Sequence, residues 1–203
     1  MQAQQEDQLH MLFPTVVQLS QLDDAQELNR ALLQEIGELR RRLPNSKPRS
    51  WACDLYTTIG DPEALLRLPA VQRLLRIAQE KIRRYAQTYR YPLEDMAPQI
   101  TECWANVYGP GQSQEAHLHK NCLFSGIYYL QAPPGSGATV FYSPACDVML
   151  EPRPTEGNNI NATVTGYPPV EGRMMIFRSS TRHSVLPGEF EGERITLSFN
   201  AVM

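Results

Sequence analysis

The sequence predicts a mainly β, or α+β, fold in which a helical N-terminal part precedes a β-sandwich or jelly roll. Apolar residues recur every three or four positions before Pro98, and the period changes to that of strands after it. Turns rich in proline and glycine then separate roughly seven short strand-like segments. The chain has 203 residues, 42% of them hydrophobic, which is ordinary for a globular protein. We therefore predict one domain over residues 1–203, mainly helical over 1–98 and β over 99–203.

Two helical regions are predicted before Pro98. The first begins at Asp23 and Asp24, which can cap a helix, and ends before Pro44. One apolar stripe runs along it, formed by Leu28, Leu32, Leu33, Ile36 and Leu39. The second region opens at Asp61-Pro62, with proline at the first helical position, and continues towards Tyr85. Pro69 is expected to divide it into a short helix and a long one.

The predicted strands lie at 100–108, 115–119, 124–130, 138–143, 173–178, 182–186 and 194–202. The segment 146–172, which starts at Cys146, is rich in proline, glycine and asparagine and contains a further strand candidate at 162–166. A long irregular segment beside a candidate site is often a lid or a substrate loop. We expect that role for 146–172.

Three of the four histidines form an H-x-H…H pattern, namely His117, His119 and His183. On a strand, residues two apart point to the same side, so the first two imidazoles can converge while a neighbouring strand supplies the third. Neutral imidazole is the commonest metal-binding side chain. Three protein ligands on one face leave coordination positions open for a substrate and a small molecule. The pattern therefore predicts a metalloenzyme.

Charge and cysteine usage narrow the class of partner and the compartment. The net charge of -3 and the pI of about 5.8 do not indicate the basic surface that binds nucleic acid or an anionic membrane. The four cysteines form no C-x-x-C pair. The polar start is not a signal peptide, and no apolar run approaches the ~18 residues that span a bilayer. We expect a cytoplasmic protein with reduced thiols.

From Trp104 onward the chain resembles the Fe(II)/2-oxoglutarate-dependent oxygenases of the double-stranded β-helix superfamily. Residues 106–111, with His117 following, are similar to the N-x-Y-x-x-G…H-x-D segment of the alkylated-DNA repair demethylases. The chain more closely resembles a compact bacterial and phage family of 2-oxoglutarate/Fe(II) oxygenases. That family's H-x-H, S-G-x-Y-Y-L, E-G-x-x-x-x-F and R-I-x-x-S-F-N motifs match residues 117–119, 125–130, 171–177 and 194–200.

The resemblance implies a cupin-like jelly roll, a double-stranded β-helix with the N-terminal helices packed on one face. It implies that His117, His119 and His183 hold Fe(II), with 2-oxoglutarate and O2 as co-substrates. Arg194 would pair bidentately with the distal carboxylate of 2-oxoglutarate. The further candidates on the co-substrate side are Asn106, Tyr108, Thr196, Ser198 and Tyr128, with Tyr142 as an alternative to Tyr128.

His119 departs from the wider superfamily, in which a carboxylate stands at this position. Three neutral ligands hold Fe(II) less by charge, so other divalent metals can compete. Glu115 is predicted on the same strand face as His117 and could supply a carboxylate instead, as a ligand or behind the ligands. Asp147 is more distant in sequence. The sequence leaves open whether His119 or Glu115 completes the site.

The activity implied by the resemblance is hydroxylation of an unactivated C–H bond, with formation of succinate and CO2. The substrate would be a small molecule, an amino acid or a peptide, and desaturation or cyclisation stay open as outcomes. A three-histidine Fe(II) dioxygenase that does not use 2-oxoglutarate is the alternative enzyme, and it would leave Arg194 without a role. A non-catalytic jelly-roll binding protein is the alternative outside catalysis. Two more features stay open: a homodimer through the N-terminal helix, and an anionic substrate at Arg178 and Arg182.

Overall fold

The computed structural model of the protein describes residues 8–144 and 152–203. Ten strands and three helices lie in these ranges. In chain order they are β1 (Val17–Gln21), α1 (Ala25–Arg40), β2 (Tyr56–Thr57), α2 (Pro62–Leu66), α3 (Pro69–Thr88), β3 (Gln99–Tyr108), β4 (Gln114–His117), β5 (Phe124–Gln131), β6 (Thr139–Tyr142), β7 (Val164–Tyr167), β8 (Arg173–Arg178), β9 (His183–Val185) and β10 (Arg194–Val202).

The strands form two antiparallel sheets, as expected of the predicted sandwich. The larger sheet has six strands in the order β1-β8-β5-β10-β3-β2, and the smaller has four in the order β4-β9-β6-β7. Non-consecutive strands lie side by side in both, which is the connectivity of a jelly roll rather than of simple hairpins.

The helices cover one face of the six-stranded sheet, and the main hydrophobic core lies between them. Alternate residues of β10, among them Ile195, Leu197 and Phe199, join the apolar stripes of α1 and α3 in this core. The other residues of the strand, including Arg194 and Thr196, therefore point the opposite way, towards the four-stranded sheet. A buried polar face between the two sheets results, and it positions the site.

The helices agree closely with the sequence. The first predicted helix corresponds to α1, and the second region divides before Pro69 into α2 and α3, because proline is favourable at a first helical position and unfavourable inside a helix. No helix in the two described ranges is long and apolar enough to cross a membrane.

The observed strands differ from the predicted ones in three places. The part before residue 98, predicted to be mainly helical, also contains β1, which pairs with β8 at a sheet edge, and the two-residue strand β2. The predicted strand 115–119 extends too far, since β4 ends at His117. The strand candidate at 162–166 corresponds to β7 at Val164–Tyr167. Cys146 and Asp147, at the start of the predicted loop 146–172, lie outside the described residues.

Candidate metal centre

The three histidines of the H-x-H…H pattern come together between the sheets. His117 ends β4 and pairs directly with His183, the first residue of β9. His119 lies beyond the end of β4, in the turn, where its backbone N–H donates to the carbonyl oxygen of Ser179 at 3.0 Å. One ring nitrogen from each of the three lies within 4.8 Å of the others. Convergence therefore depends on strand pairing for two histidines and on an anchored turn for the third.

Backbone carbonyl groups orient two of the imidazoles. Nδ1 of His117 lies 2.7 Å from the carbonyl oxygen of Glu115, and Nδ1 of His183 lies 2.9 Å from that of Thr181. A carbonyl oxygen only accepts, so each Nδ1 carries the hydrogen and donates. Nε2 then keeps its lone pair, which is the arrangement of a metal-ligating histidine with an outer partner.

Burial keeps all three imidazoles neutral at physiological pH. Burial lowers the pKa of His117. It also lowers the pKa of His119 to about 4, with the nearby His117 ring as the second cause. Burial and the neighbouring His117 also lower the pKa of His183 to about 3. Neutral imidazole is the form that binds a metal, so no proton has to be displaced above about pH 6.5.

A chain of polar side chains lies behind His119. Asn200 donates through Nδ2 to Glu102 Oε2 at 2.7 Å and accepts through Oδ1 from Ser125 Oγ at 2.8 Å. Ser125 Oγ is in turn 2.9 Å from Ser179 Oγ. Glu102 and Ser125 therefore fix the Asn200 amide, whose Nδ2 lies 3.5 Å from Nδ1 of His119. The chain links the His119 ring to Ser179, the residue that anchors the His119 backbone.

Glu115 has a different set of contacts from the histidines. Its carboxylate accepts from the backbone N–H of Ala52 at 3.0 Å and from Gln114 Nε2 at 3.4 Å. The pairing of β4 with β9 is irregular between Gln114 and His117. The prediction that Glu115 and His117 share a face assumed the regular alternation of a strand, and this irregularity interrupts it. The group that could hold a metal ion comprises the three histidines and not Glu115.

Arg194 lines the same cavity as the histidines and is 1% exposed. Its Nη2 donates to Thr139 Oγ1 at 3.4 Å, whereas Nε and Nη1 have no hydrogen-bond partner. The guanidinium lies 4.6 Å from the ring centroid of Tyr108 and 5.4 Å from that of Tyr129. None of the ion pairs in residues 8–144 and 152–203 includes it. A buried cation with two free donors is costly unless a ligand completes it.

Four of the remaining five candidates also line the cavity; these are Asn106, Tyr108, Thr196 and Ser198. The Asn106 Oδ1 atom has no partner, and its Nδ2 lies at the long distance of 3.5 Å from Ser198 Oγ. Burial raises the pKa of Tyr108 to about 12, so its phenol stays neutral and gives Arg194 no counter-charge. The cavity thus carries a cation and polar groups but no described anion.

Tyr128 is not brought to this cavity. It belongs to the core beneath the helices, and its hydroxyl donates to Asn29 Oδ1 at 2.6 Å. The adjacent residue, Tyr129, points between the sheets instead and contacts Arg194 and Thr139. The alternative candidate, Tyr142, bonds to Ser184 Oγ at 2.9 Å. It lines a second, outer groove rather than the cavity.

Several residues that contact or line the site were not singled out by sequence reasoning, among them Trp51, Gln114, Thr139 and Asn200. Asn200 could have been predicted from the sequence, because it ends the 194–200 motif and shares a strand face with Arg194. Thr139 shares a face of β6 with Phe141. Trp51 and Gln114 carry no such signal, since one lies in an irregular segment and the other precedes the irregularity in β4.

Residues 102–200 match a family model described as "Putative 2OG-Fe(II) oxygenase". No curated protein sequence matches the chain. The matched range contains every described candidate ligand and co-substrate residue, from Asn106 to Ser198.

Solved structures share the fold of this chain over most of its length. A Pseudomonas putida prolyl-4-hydroxylase is 18% identical with a TM-score of 0.56, and the match covers 93% of this chain and 92% of that one. A Trichoplax adhaerens prolyl hydroxylase, in complex with a hypoxia inducible factor peptide, is 15% identical over 92% and 83%, with a TM-score of 0.57. HygX from Streptomyces hygroscopicus, with nickel and 2-oxoglutarate bound, is 12% identical over 93% and 83%, with a TM-score of 0.59. The predicted double-stranded β-helix is therefore confirmed.

Proposed function

We propose that this chain, whose residues 102–200 belong to the 2OG-Fe(II) oxygenase family, hydroxylates an unactivated C–H bond of a small molecule, an amino acid or a peptide. The family implies Fe(II), 2-oxoglutarate and O2. The single observation that carries the proposal is the buried Arg194, with two unpartnered donors, in one cavity with three histidines. When bound, iron and 2-oxoglutarate supply the oxidation chemistry, with succinate and CO2 as by-products.

The donor set fits Fe(II). His117, His119 and His183 would hold the ion through neutral imidazoles, two of which already have their hydrogen on Nδ1. Three neutral nitrogen ligands leave room for further ligands, as in facial-triad sites, and favour borderline metals over magnesium or calcium. Nickel is a suitable redox-inert substitute for binding experiments.

Arg194 fits the distal carboxylate of 2-oxoglutarate. A guanidinium holds a carboxylate bidentately through Nη2 together with either Nε or Nη1. In Arg194 both Nε and Nη1 are free, and Nη2 makes only the long bond of 3.4 Å to Thr139 Oγ1. Asn106 would assist after its amide turns over: Oδ1 then accepts from the Ser198 hydroxyl, and Nδ2 donates into the cavity. Thr196 adds a hydroxyl on the same strand face as Arg194, and Tyr108 packs beneath the guanidinium.

Entry of the co-substrate requires some widening. The cavity has a volume of about 30 Å³, which suits one or two water molecules rather than an organic acid. We propose that side chains at its rim turn aside when 2-oxoglutarate binds. A narrow cavity that closes over its occupant would keep water from the reaction.

The two alternative functions lack this support. A three-histidine dioxygenase that does not use 2-oxoglutarate leaves Arg194 buried without a partner for its free donors. A non-catalytic binding protein leaves the carbonyl-oriented imidazoles without a metal to bind. Desaturation and cyclisation remain open, because the surroundings of the reacting carbon determine them.

An anaerobic titration with Fe(II) and 2-oxoglutarate tests the proposal. We expect the weak visible charge-transfer band of a chelated Fe(II)–2-oxo acid complex in the wild type. The band should require much more 2-oxoglutarate in Arg194→Ala, and it should be normal in Arg76→Ala, which removes an exposed arginine of α3. A wild-type protein that binds iron and gives no band at saturating 2-oxoglutarate contradicts the proposal.

Three further properties are proposed with the activity. We propose a cytoplasmic location, supported by Cys53, Cys103 and Cys122, which are all free thiols. We propose that residues 1–203 are one domain, supported by the hydrophobic core that helices and sheet share. A homodimer remains a prediction that sedimentation at two protein concentrations would test.

A further inference from the structure

A second groove lies on the outer surface beside the metal centre. It is lined by residues 13–16, Thr88 and Tyr89, residues 142–144, Arg178 and residues 180–182, and we call it the Arg/Tyr groove. Its volume is about 740 Å³, in the upper part of the range for organic ligands, so it suits an occupant larger than a free amino acid.

The Arg/Tyr groove is positively charged, although the chain as a whole carries a net charge of -3. Arg178 and Arg182 are the charged residues among those described in its lining, and none of the described lining residues is an aspartate or a glutamate. Neither guanidinium takes part in an ion pair in the described parts of the chain. Two arginines without a counter-charge among the described residues of one groove favour an anionic occupant.

Tyrosine rings hold both guanidinium groups in place. The Arg178 guanidinium lies 5.4 Å from the ring centroid of Tyr89, and that of Arg182 lies 5.7 Å from the ring centroid of Tyr142. The Tyr142 hydroxyl is itself fixed by Ser184 at 2.9 Å. Stacking on a ring face leaves the N–H edges of a guanidinium free, so both arginines can donate to carboxylates with little loss of conformational entropy.

The groove and the metal centre are adjacent along the chain, although no described residue lines both. Thr181 and Arg182 line the groove and immediately precede His183 in the chain. The Thr181 carbonyl oxygen is the group that accepts from Nδ1 of His183. A peptide in the groove therefore lies beside the segment that carries His183, and a neighbouring residue of that peptide would have to extend from there to the metal centre.

We infer that the Arg/Tyr groove binds an acidic peptide segment, and that the substrate is a peptide with aspartate or glutamate near the residue that reacts. This inference depends on the proposed oxygenase function, because it assigns the substrate of the same site. Four separate chain segments form the groove, and apolar Phe13, Pro14 and Val16 line it together with the two arginines. Such a mixed surface suits side chains of alternating character, whereas a strand of nucleic acid needs a longer basic track.

The first test selects binders for the full chain from a random decapeptide library and identifies them by mass spectrometry. Aspartate and glutamate should be enriched among peptides bound to the wild type, and the enrichment should disappear in Arg178→Gln/Arg182→Gln. The matched control, Arg30→Gln/Arg76→Gln, removes two exposed helix arginines and should retain it. For a selected peptide we expect about a fivefold loss of affinity in the groove variant, since each exposed ion pair contributes modestly.

The second test asks whether a selected peptide stimulates succinate formation by the iron-loaded protein. Stimulation in the wild type that falls in Arg178→Gln/Arg182→Gln supports the inference. Binding without stimulation, no acidic enrichment, or stronger competition from a ten-nucleotide oligothymidylate overturns it. The charge-transfer band with 2-oxoglutarate should be unchanged in the groove variant. If the iron-loaded wild type gives no charge-transfer band with 2-oxoglutarate, the oxygenase proposal itself fails.

Discussion

Replacing Arg194 by methionine should affect stability in opposite directions with and without 2-oxoglutarate. The guanidinium is 1% exposed, and its Nε and Nη1 have no partner until a carboxylate arrives. Methionine fills part of the same space and needs no hydrogen bonds. The ligand-free protein should therefore gain stability, whereas the protein with 2-oxoglutarate should lose it.

The magnitude follows from the partners of Arg194. Two unsatisfied buried donors cost about 1–3 kcal/mol each, and two cation–π contacts, with Tyr108 and Tyr129, return about 0.5–2 kcal/mol each. We expect a net gain of about 1 kcal/mol in Arg194→Met, or about 2–4 °C in Tm for a chain of this size. Two charge-assisted hydrogen bonds to the carboxylate contribute about 3–6 kcal/mol, so the Kd for 2-oxoglutarate should rise about 100-fold or more.

Thermal unfolding of the nickel-loaded protein, with and without 2-oxoglutarate, measures both effects. At about 100 times its Kd the ligand should stabilise the wild type by about 2.7 kcal/mol. Arg76→Met is the control for the loss of one positive charge and should respond to 2-oxoglutarate like the wild type. The reasoning is refuted if Arg194→Met melts well below the wild type without 2-oxoglutarate, or if the ligand stabilises both proteins equally.

Three further predictions concern His183, Asn200 and Gly126. His183→Ala should abolish tight binding of Ni(II) in a calorimetric titration, because His183 pairs directly with His117 across β4 and β9. If this variant binds Ni(II) with wild-type affinity, His183 is not a ligand. Asn200→Ala should weaken Ni(II) binding about 10–100-fold by freeing the His119 ring, whereas Asn29→Ala, which breaks a buried bond to Tyr128, should leave it unchanged; equal effects would mean that Asn200 acts only through stability. Gly126→Ala should destabilise the fold by about 1–3 kcal/mol in denaturant unfolding, because a Cβ there would lie 2.1 Å from the Phe199 ring. Gly37→Ala in α1, with nothing within 4 Å of the new Cβ, should instead stabilise it, and destabilisation of both would contradict the packing argument.

The helices and the histidine pattern were predictable because each leaves a strong local signal. The stripe of α1 and the two prolines that open α2 and α3 depend on residues a few positions apart. Arg194 was found through its motif and not through any period. These features are encoded locally, so a single sequence is enough to recognise them.

The orientation of Tyr128 was not predictable from local pattern. Almost every residue of β5 is buried, since helices cover one face of the strand and the second sheet covers the other. A strand buried on both faces shows no alternation of apolar and polar residues, so the sequence cannot say which of Tyr128 and Tyr129 points to the metal centre. β1 was missed for a related reason: it is a short, partly exposed edge strand that exists through its pairing with β8.

The carbonyl groups that orient His117 and His183 belong to the main chain, and no side-chain substitution removes them. The ligand nitrogens of His117 and His183 are therefore set by backbone geometry before any ion arrives. Iron should leave under a chelator and bind again when Fe(II) is added back, without refolding of the protein. Loops around the centre can also change sequence, and with it substrate preference, while the tautomers of these two ligands stay the same.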